Sequence, residues 1–446
     1  MKKVITYGTF DLFHQGHYNL LKSAKELGDY LIVGITTDNF DLERGKMNTN
    51  NNLMERIESV KDSGLADQII IEEYQGQKID DIQKYNVDLF AIGSDWEGFF
   101  DYLKEFCDVI YLPRTEGISS TQLRLNRPIV NLGIIGTGSI ANRFVMESKN
   151  VNNISIEAAY NPDIKEAYDF SKKYELSKTA NNLTEFFATC DSVYIASPYF
   201  THYDYVKQSL LHDKNVLCET PFVLTEKEAN ELYQIAEEKK LVLSVALKTA
   251  YCPAFRHLLS LLKSGIIGTI VDLTASVTTL IDDELQKANP RFFGGSMCEN
   301  SCFPLLPIFK LFGTEYKNIT FYSKMKNGDD IFTKAVVQYE NAIASFQVGL
   351  GVKSEGDLVI SGTKGYAYVS APWWKTNFFE ICYEDQNLNK KYFYPYIGEG
   401  LRYEIKDFVS SILSKSFFYS TISKRENIAM AKVQENFLAK ENLYLI

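Results

Sequence analysis

The sequence predicts an α/β protein: two parallel, doubly wound sheets in series, followed by an α+β part with a mostly antiparallel sheet. Three observations predict it. Strand–glycine–helix openings stand at Gly8 and at Gly136, and apolar runs alternate with amphipathic segments after each. Beyond about residue 251 the rhythm changes to longer alternating segments. A chain of 446 residues with 45% hydrophobic and 23% charged residues has the length and composition of several globular domains.

The elements follow in order. The first opening is a strand over 4–6, the turn Gly8-Thr9-Phe10-Asp11, and a helix over about 17–27. Strands are expected at 30–36, 68–72, 88–92 and 109–111, with amphipathic segments between them, as in βαβ units. The stretch 112–128 is rich in turn residues, and a helix begun near Ser120 must stop before Pro128. A boundary is therefore expected at 125–130. The second opening is a strand over 130–135, then Gly136-Thr137-Gly138-Ser139-Ile140-Ala141 and a helix, with strands at 154–160, 192–196, 215–218 and 241–246. The alternating segments 269–279, 332–339, 342–349, 358–361 and 366–369, with turns such as Lys326-Asn327-Gly328-Asp329, read as the antiparallel sheet. Three domains are expected, 1–125, 130–250 and 251–446, without an internal repeat.

Composition excludes some functions. With 47 basic against 57 acidic residues the formal charge is −10, which argues against a nucleic-acid partner. The longest apolar runs, near 29–35 and 241–247, fall far short of the 18 or so residues a membrane helix needs. The opening MKKVITYGTF reaches Thr6, Gly8 and Asp11 before any signal-length apolar core, so a cytoplasmic protein with reduced cysteines is expected. Cys298 and Cys302 are four apart but have no second Cys/His pair nearby, and no metal site is expected there.

The decapeptide Gly8-Thr9-Phe10-Asp11-Leu12-Phe13-His14-Gln15-Gly16-His17 holds two of the five histidines. Three apart at a helix start, they share one face beside backbone N–H groups that favour anions. Two imidazoles there suit a triphosphate whose α-phosphorus gathers negative charge in the transition state. Surface histidines beside a glycine turn are the bland alternative, and the full string argues against it.

This string resembles the cytidylyltransferase family, within the wider HxGH nucleotidyltransferases. So does Arg114-Thr115-Glu116-Gly117-Ile118-Ser119-Ser120-Thr121, along with Thr36-Thr37-Asp38, Arg44-Gly45-Lys46, Glu55-Arg56, Lys78 and Gly93-Ser94-Asp95-Trp96, so that residues 1–125 are covered. The resemblance implies that His14, His17, Lys46 and Arg114 are catalytic. It implies that Thr9, Phe10, Asp95, Gly117, Ile118, Ser119, Ser120 and Thr121 help bind CTP, with Mg2+ as cofactor, and that Arg44 and Lys78 hold the phosphate of a small polyol acceptor. Arg44 replaces a lysine usual in glycerol-3-phosphate enzymes, and Phe99 replaces a lysine, which leaves the acceptor open. ATP is the alternative nucleotide, and the Arg114–Thr121 string favours CTP.

The second glycine turn sits after an apolar strand and before a helix, the context a dinucleotide fingerprint needs. With Ala196-Ser197-Pro198-Tyr199-Phe200-Thr201-His202, Asn215-Val216-Leu217-Cys218-Glu219-Thr220-Pro221, Pro253-Ala254-Phe255 and Gly294-Gly295-Ser296, it resembles the glucose–fructose oxidoreductase/inositol dehydrogenase family. That resemblance implies an NAD(P)-type Rossmann domain. Gly136, Gly138, Ser139, Ile140, Ala141, Asn161, Ser197, Pro198, His202 and Glu219 would bind NAD or NADP; Asn161 leaves the choice open. The proton-handling lysine, aspartate and histidine of the family fall on Thr220, Asn300 and Pro304, none of which shuttles a proton near neutrality. Lys248, at a strand's C-terminal end, is the candidate acid, and Tyr251 the runner-up.

The two resemblances together imply a bifunctional enzyme. One part reduces a keto sugar phosphate, and the other couples the resulting alcohol phosphate to CTP, as for CDP-polyols of teichoic acid or capsule synthesis. The alternative is a cytidylyltransferase carrying a catalytically silent module for binding or oligomerisation. Both families imply a homo-oligomer.

Overall fold

The computed structural model describes residues 1–37, 40–41, 49, 51, 53–74, 76–113, 128–280, 294–394, 396–415 and 420–446. Two compact units, Met1–Pro128 and Ile129–Ile446, make up the chain.

In the first unit, β1 (Lys3–Gly8), β2 (Tyr30–Thr36), β3 (Gln68–Glu72), β4 (Leu89–Gly93) and β5 (Asp108–Leu112) form a parallel sheet in the order β3-β2-β1-β4-β5. Val4, Ile5, Leu31, Ile32 and Val33 are all buried, because helices cover both faces. Leu21 of helix Gln15–Glu26 and Val60 of helix Leu53–Asp62 join the core on one face, and Ile82 of helix Gln77–Tyr85 joins that on the other. Strand order reverses between β1 and β4. The ligand crevice of such a sheet lies there, at the C-terminal end of β1, where the Gly8–His17 string begins.

The second unit opens on β6 (Val130–Ile135), β7 (Ile154–Tyr160), β8 (Lys178–Thr179), β9 (Ser192–Ile195), β10 (Asn215–Glu219) and β11 (Leu243–Ala246). They are parallel in the order β11-β10-β9-β6-β7-β8, which reverses between β6 and β9. The chain then builds a mixed sheet from β12 (Ile270–Thr279), β13 (Asn318–Lys326), β14 (Asp329–Gln338), β15 (Ile343–Leu350), β16 (Leu358–Gly362), β17 (Tyr366–Val369), β18 (Phe378–Cys382), β19 (Lys390–Phe393) and β20 (Leu443–Leu445). Among the described residues its order is β19-β18-β17-β16-β12-β15-β14-β13-β20. All pairs are antiparallel except β12–β15 and β13–β20. Asn327 and Gly328, with φ of 56° and 97°, close the β13–β14 hairpin in the left-handed conformation that two-residue hairpin turns require. Helices Pro253–Lys263 and Cys302–Phe312 cover one face, sharing a core with Leu273, Phe321, Phe346 and Ile360.

Strands β13, β18, β19 and β20 lie outside the expected set. The β19 residues Lys390, Lys391 and Phe393 are exposed, and β20 is three residues long, so neither carries an inward-facing apolar pattern. Late in the chain, helix Leu401–Leu413 returns to the parallel sheet, where Leu401, Ile405 and Phe408 pack with Phe144 and Tyr194. Among the described residues no helix is long and apolar enough to cross a membrane.

Candidate functional site

In the first unit the motif folds as a tight loop from β1 into helix Gln15–Glu26. Phe10 and Leu12 have φ of 53° and 50°, unfavourable for side-chain-bearing residues, and both are buried. The surroundings impose this conformation. The Asn51 N–H donates to Asp11 Oδ1 at 2.8 Å, and Asn51 Oδ1 accepts the Leu12 N–H at 3.1 Å. Thr9 Oγ1 and Thr36 Oγ1 donate to the two oxygens of Asp41 at 2.9 and 2.7 Å. Arg56, fully buried, donates Nη1 to the Thr9 and Thr36 carbonyls, both at 2.8 Å, and lies 3.6 Å from Asp41 Oδ2. The ends of β1 and β2 are thereby clamped together.

His14 is the N-cap of the helix, its Nδ1 accepting the Gly16 N–H at 3.1 Å. Burial lowers its pKa, against the pull of Asp11. A neutral ring that accepts at Nδ1 carries its proton on Nε2 and presents a donor there. His17 stacks on His14 with ring centroids 3.9 Å apart, and Phe10 and Phe13 flank it at 5.4 and 5.7 Å. The two imidazoles therefore form one surface at the anion-attracting end of the helix. Asp95 lies in the turn Ser94–Trp96 that follows β4, on the other side of the crevice from β1. Lys78 is buried beneath, its Nζ paired with the Glu72 carboxylate and 4.5 Å above the Tyr7 ring. Lys46, Arg44, Arg114, Gly117, Ile118, Ser119, Ser120 and Thr121 lie outside the described residues.

In the second unit Gly136, with φ of 94°, turns from β6 so closely past β9 that an added Cβ would stand 2.6 Å from the Ala196 carbonyl oxygen. Nothing lies within 4 Å of a Cβ at Gly138. Gly138 caps helix Ser139–Ser148 without a side-chain hydrogen bond, so the N–H groups at Ser139 and Ile140 face an open cradle of the kind a pyrophosphate fills. Ala141 is fully buried against the sheet. Asn161, just past β7, donates Nδ2 to Thr137 Oγ1 at 2.7 Å and to Glu166 Oε2 at 2.9 Å. After β9, Ser197 Oγ pairs with Thr201 Oγ1 at 2.7 Å. His202 is buried with Nδ1 2.7 Å from the Pro221 carbonyl and Nε2 2.8 Å from that of Ser197, so it spans the Ser197-Pro198 and Thr220-Pro221 turns. Burial lowers its pKa.

Beside this cradle is a group of titratable side chains that only the fold assembles. Burial lifts the Glu219 carboxyl to about 7, against hydrogen bonds from the Tyr194 hydroxyl and the Thr220 N–H. Lys248 opens the short helical turn after β11, its pKa lowered by burial and by Lys375. Glu404, on the returning helix, is fully buried with neither oxygen hydrogen-bonded among the described residues. Burial and Glu219 push its carboxyl well up, while Lys248 opposes. Tyr251, the runner-up acid, is buried and donates its hydroxyl to the Val245 carbonyl at 2.9 Å, which occupies its proton.

Around Gly294 a second group appears. A Cβ there would lie 2.2 Å from the Tyr199 hydroxyl oxygen. Glu299, on helix Gly295–Asn300, is lifted to about 7 by burial, with the Gly294 N–H opposing. Asp330 holds the start of that helix, accepting the Met297 N–H at 3.0 Å and Thr333 Oγ1 at 2.7 Å. Asn300 has a buried Nδ2 without a partner among the described residues, and Pro304 sits inside helix Cys302–Phe312.

Residues 5–126 match the cytidylyltransferase-like family, and residues 130–247 match an oxidoreductase family with an NAD-binding Rossmann fold. Over 124 residues the chain is 56% identical to glycerol-3-phosphate cytidylyltransferase of Bacillus spizizenii, covering 28% of this chain and 95% of that protein. The chain joins a cytidylyltransferase-like domain to an oxidoreductase-family domain. Along the second domain it is 26% identical over 317 residues to scyllo-inositol 2-dehydrogenase (NADP(+)) IolU of Bacillus subtilis, covering 69% of this chain and 95% of that protein. The solved structure of KijD10, a 3-ketoreductase from Actinomadura kijaniata in complex with TDP-benzene and NADP, shares the fold: TM-score 0.62 at 17% identity, over 72% of this chain and 99% of that one.

Within the cytidylyltransferase-like domain, Asp41, Asn51 and Arg56 had no assigned role in the sequence. Arg56 had a readable signal, since it stands four residues before the buried Val60 on the inward face of helix Leu53–Asp62. Within the oxidoreductase-family domain, Glu299, Glu404 and Tyr194 are the residues sequence reasoning missed. They come from three distant segments with no shared motif.

Proposed function

We propose that the chain is a bifunctional enzyme that reduces a keto sugar phosphate with NAD(P)H in its second unit and transfers a cytidylyl group from CTP to a polyol phosphate in its first. The observation that carries the reading is the stacked pair His14–His17 at a helix N-terminus, at the point where strand order reverses. In the transfer, an oxygen of the acceptor phosphomonoester attacks the α-phosphorus in line, the bond to the β-phosphate breaks, and pyrophosphate leaves. His14 donates from Nε2 and His17 beside it, to the oxygens where charge grows. Thr9, Phe10, Asp95, Lys46, Arg114 and Gly117–Thr121 complete the nucleotide site, and Arg44 and Lys78 hold the acceptor phosphate. Magnesium would neutralise charge on the triphosphate.

In the second unit the cradle from Gly136 to Ala141 fits a dinucleotide pyrophosphate. When bound, the dinucleotide supplies a hydride. Lys248 supplies the proton to the carbonyl oxygen, its lowered pKa bringing it closer to the working range of a general acid. Glu219 and Glu404 face the ammonium, whose charge opposes the upward shift that burial gives both carboxyls. Thr220, Asn300 and Pro304 favour a second reading, a module that binds dinucleotide without turning it over. The product of the two-unit reading is a CDP-alcohol of the kind used for teichoic or capsular polymers, made in the cytoplasm by a homo-oligomer. The free thiols of all seven cysteines suit that compartment.

A pyrophosphate-release screen of CTP and ATP against glycerol 3-phosphate and longer polyol phosphates tests the first unit. CTP-dependent release with at least one acceptor is expected. Release with ATP alone, or with neither nucleotide, contradicts the assignment.

A further inference from the structure

We infer that Glu166 makes the second unit selective for NAD(H) over NADP(H); the inference rests on the reading that this unit binds a nicotinamide dinucleotide. In a sheet of this order the adenosine ribose falls at the end of the second strand, beside the glycine turn, and an acid there takes the ribose hydroxyls. Here that strand is β7, and the residue at its end is Asn161, an amide rather than an acid. Asn161 does not face the crevice idle. Its Nδ2 donates to Thr137 Oγ1 at 2.7 Å and to Glu166 Oε2 at 2.9 Å, while its Oδ1 accepts the Asp163 N–H at 2.9 Å. Thr137 Oγ1 is itself 3.4 Å from Glu166 Oε2.

These bonds draw the Glu166 carboxylate from the first turn of helix Ile164–Tyr174 onto Thr137, the residue between the two glycines of the turn. Asp163 fixes the start of that helix, accepting the Lys165 and Glu166 N–H groups at 2.9 and 3.4 Å. One carboxylate oxygen of Glu166 is thus held by the amide, and Oε1 has no partner among the described residues. It is placed to accept a ribose hydroxyl. A 2′-phosphate in the same position would meet two carboxylates, Glu166 and Asp163. Of the cations on the same helix, Lys172 and Lys173 stand in its last turn, where Lys173 donates to Asn142 Oδ1 at 2.7 Å, and Lys165 adjoins Glu166. No arginine occurs between Arg143 and Arg256, so the planar donor that suits a phosphate is absent from the whole stretch.

Calorimetric titration of the full chain with NADH and with NADPH tests this without relying on turnover. NADH is expected to bind at least tenfold more tightly. Glu166→Gln should bring the two affinities within about threefold, by weakening NADH and strengthening NADPH. Asn161→Ala, which releases the carboxylate without removing it, should reduce the preference while Glu166→Asp keeps part of it. Equal or tighter binding of NADPH by the wild type, or an unchanged preference in Glu166→Gln, overturns the inference alone. Binding of neither dinucleotide overturns the reading of the second unit on which it stands.

Discussion

The two units meet the same requirement in different ways. Each puts a turn and a helix N-terminus at the reversal of a parallel sheet, so each presents backbone N–H groups at a crevice that favours an anion. In the first, the side chains proposed to react belong to one short string: His14 and His17 are three residues apart and their rings stack. In the second, the turn from Gly136 to Ala141 carries no titratable side chain. Its buried titratable groups come from β10, from the end of β11, from helix Gly295–Asn300 and from helix Leu401–Leu413. Chemistry carried by one contiguous string cannot lose a member without losing the motif. Chemistry gathered from four segments can exchange members, and here Lys248, Glu299 and Glu404 stand where Thr220, Asn300 and Pro304 offer no titratable group.

The contrast can be broken by substitution, the largest effect first. Arg56→Ala removes the clamp between β1 and β2 and leaves Asp41 buried without its cation. It should cost the first unit about 3–5 kcal/mol, read as a lower midpoint in chemical denaturation while dinucleotide binding persists. A first-unit midpoint unmoved by Arg56→Ala would mean the clamp is ornamental. His14→Ala should lower kcat/KM for cytidylyl transfer by about 3–4 kcal/mol of transition-state stabilisation, with about 1 kcal/mol of first-unit stability lost with the N-cap and the second unit unchanged. Gly136→Ala should abolish dinucleotide binding in calorimetry, because the new methyl would lie 2.6 Å from the Ala196 carbonyl oxygen, and should leave pyrophosphate release intact. Retained binding would show that the cradle is not the pyrophosphate site.

The smallest effect is on pH dependence. Glu219 and Glu299 have carboxyls raised to about 7 in the folded protein. The native state therefore holds protons that the unfolded chain releases at ordinary carboxylate pKa values. Stability of the second unit should be greatest in acid and fall as pH rises from about 4.5 to about 7. Glu299→Gln should flatten that slope in thermal unfolding by a few degrees. A first unit sharing the same slope would contradict this, since none of its described carboxyls is raised so far.

Much of the fold was legible because parallel strands are apolar throughout. Strands β2, β3, β6 and β7 begin and end where the apolar runs at 30–36, 68–72, 130–135 and 154–160 do. The exposed edge β19 and the short β20 carry no such run. In the sites, the glycine turns and the histidine pair were legible because their spacing is local. Asp41, Asn51, Glu299 and Glu404 were not. Asp41 and Asn51 are ordinary polar residues until β1 and β2 bring them onto Thr9 and Asp11. Glu404 reads as one acid on an amphipathic helix, and only the return of that helix buries it near Lys248 and Glu219.

The central claim is that one chain prepares an alcohol phosphate and then activates it. The most direct measurement supplies the full chain with CTP, a panel of keto sugar phosphates and no preformed polyol phosphate, and follows pyrophosphate with and without reduced dinucleotide. The account predicts release only when the dinucleotide is present, consumed in equal amount, and lost in Lys248→Ala although that variant still turns over an added polyol phosphate. Release from added polyol phosphate alone, with no dinucleotide-dependent release from any keto sugar phosphate, would contradict it and leave the second unit a binding module.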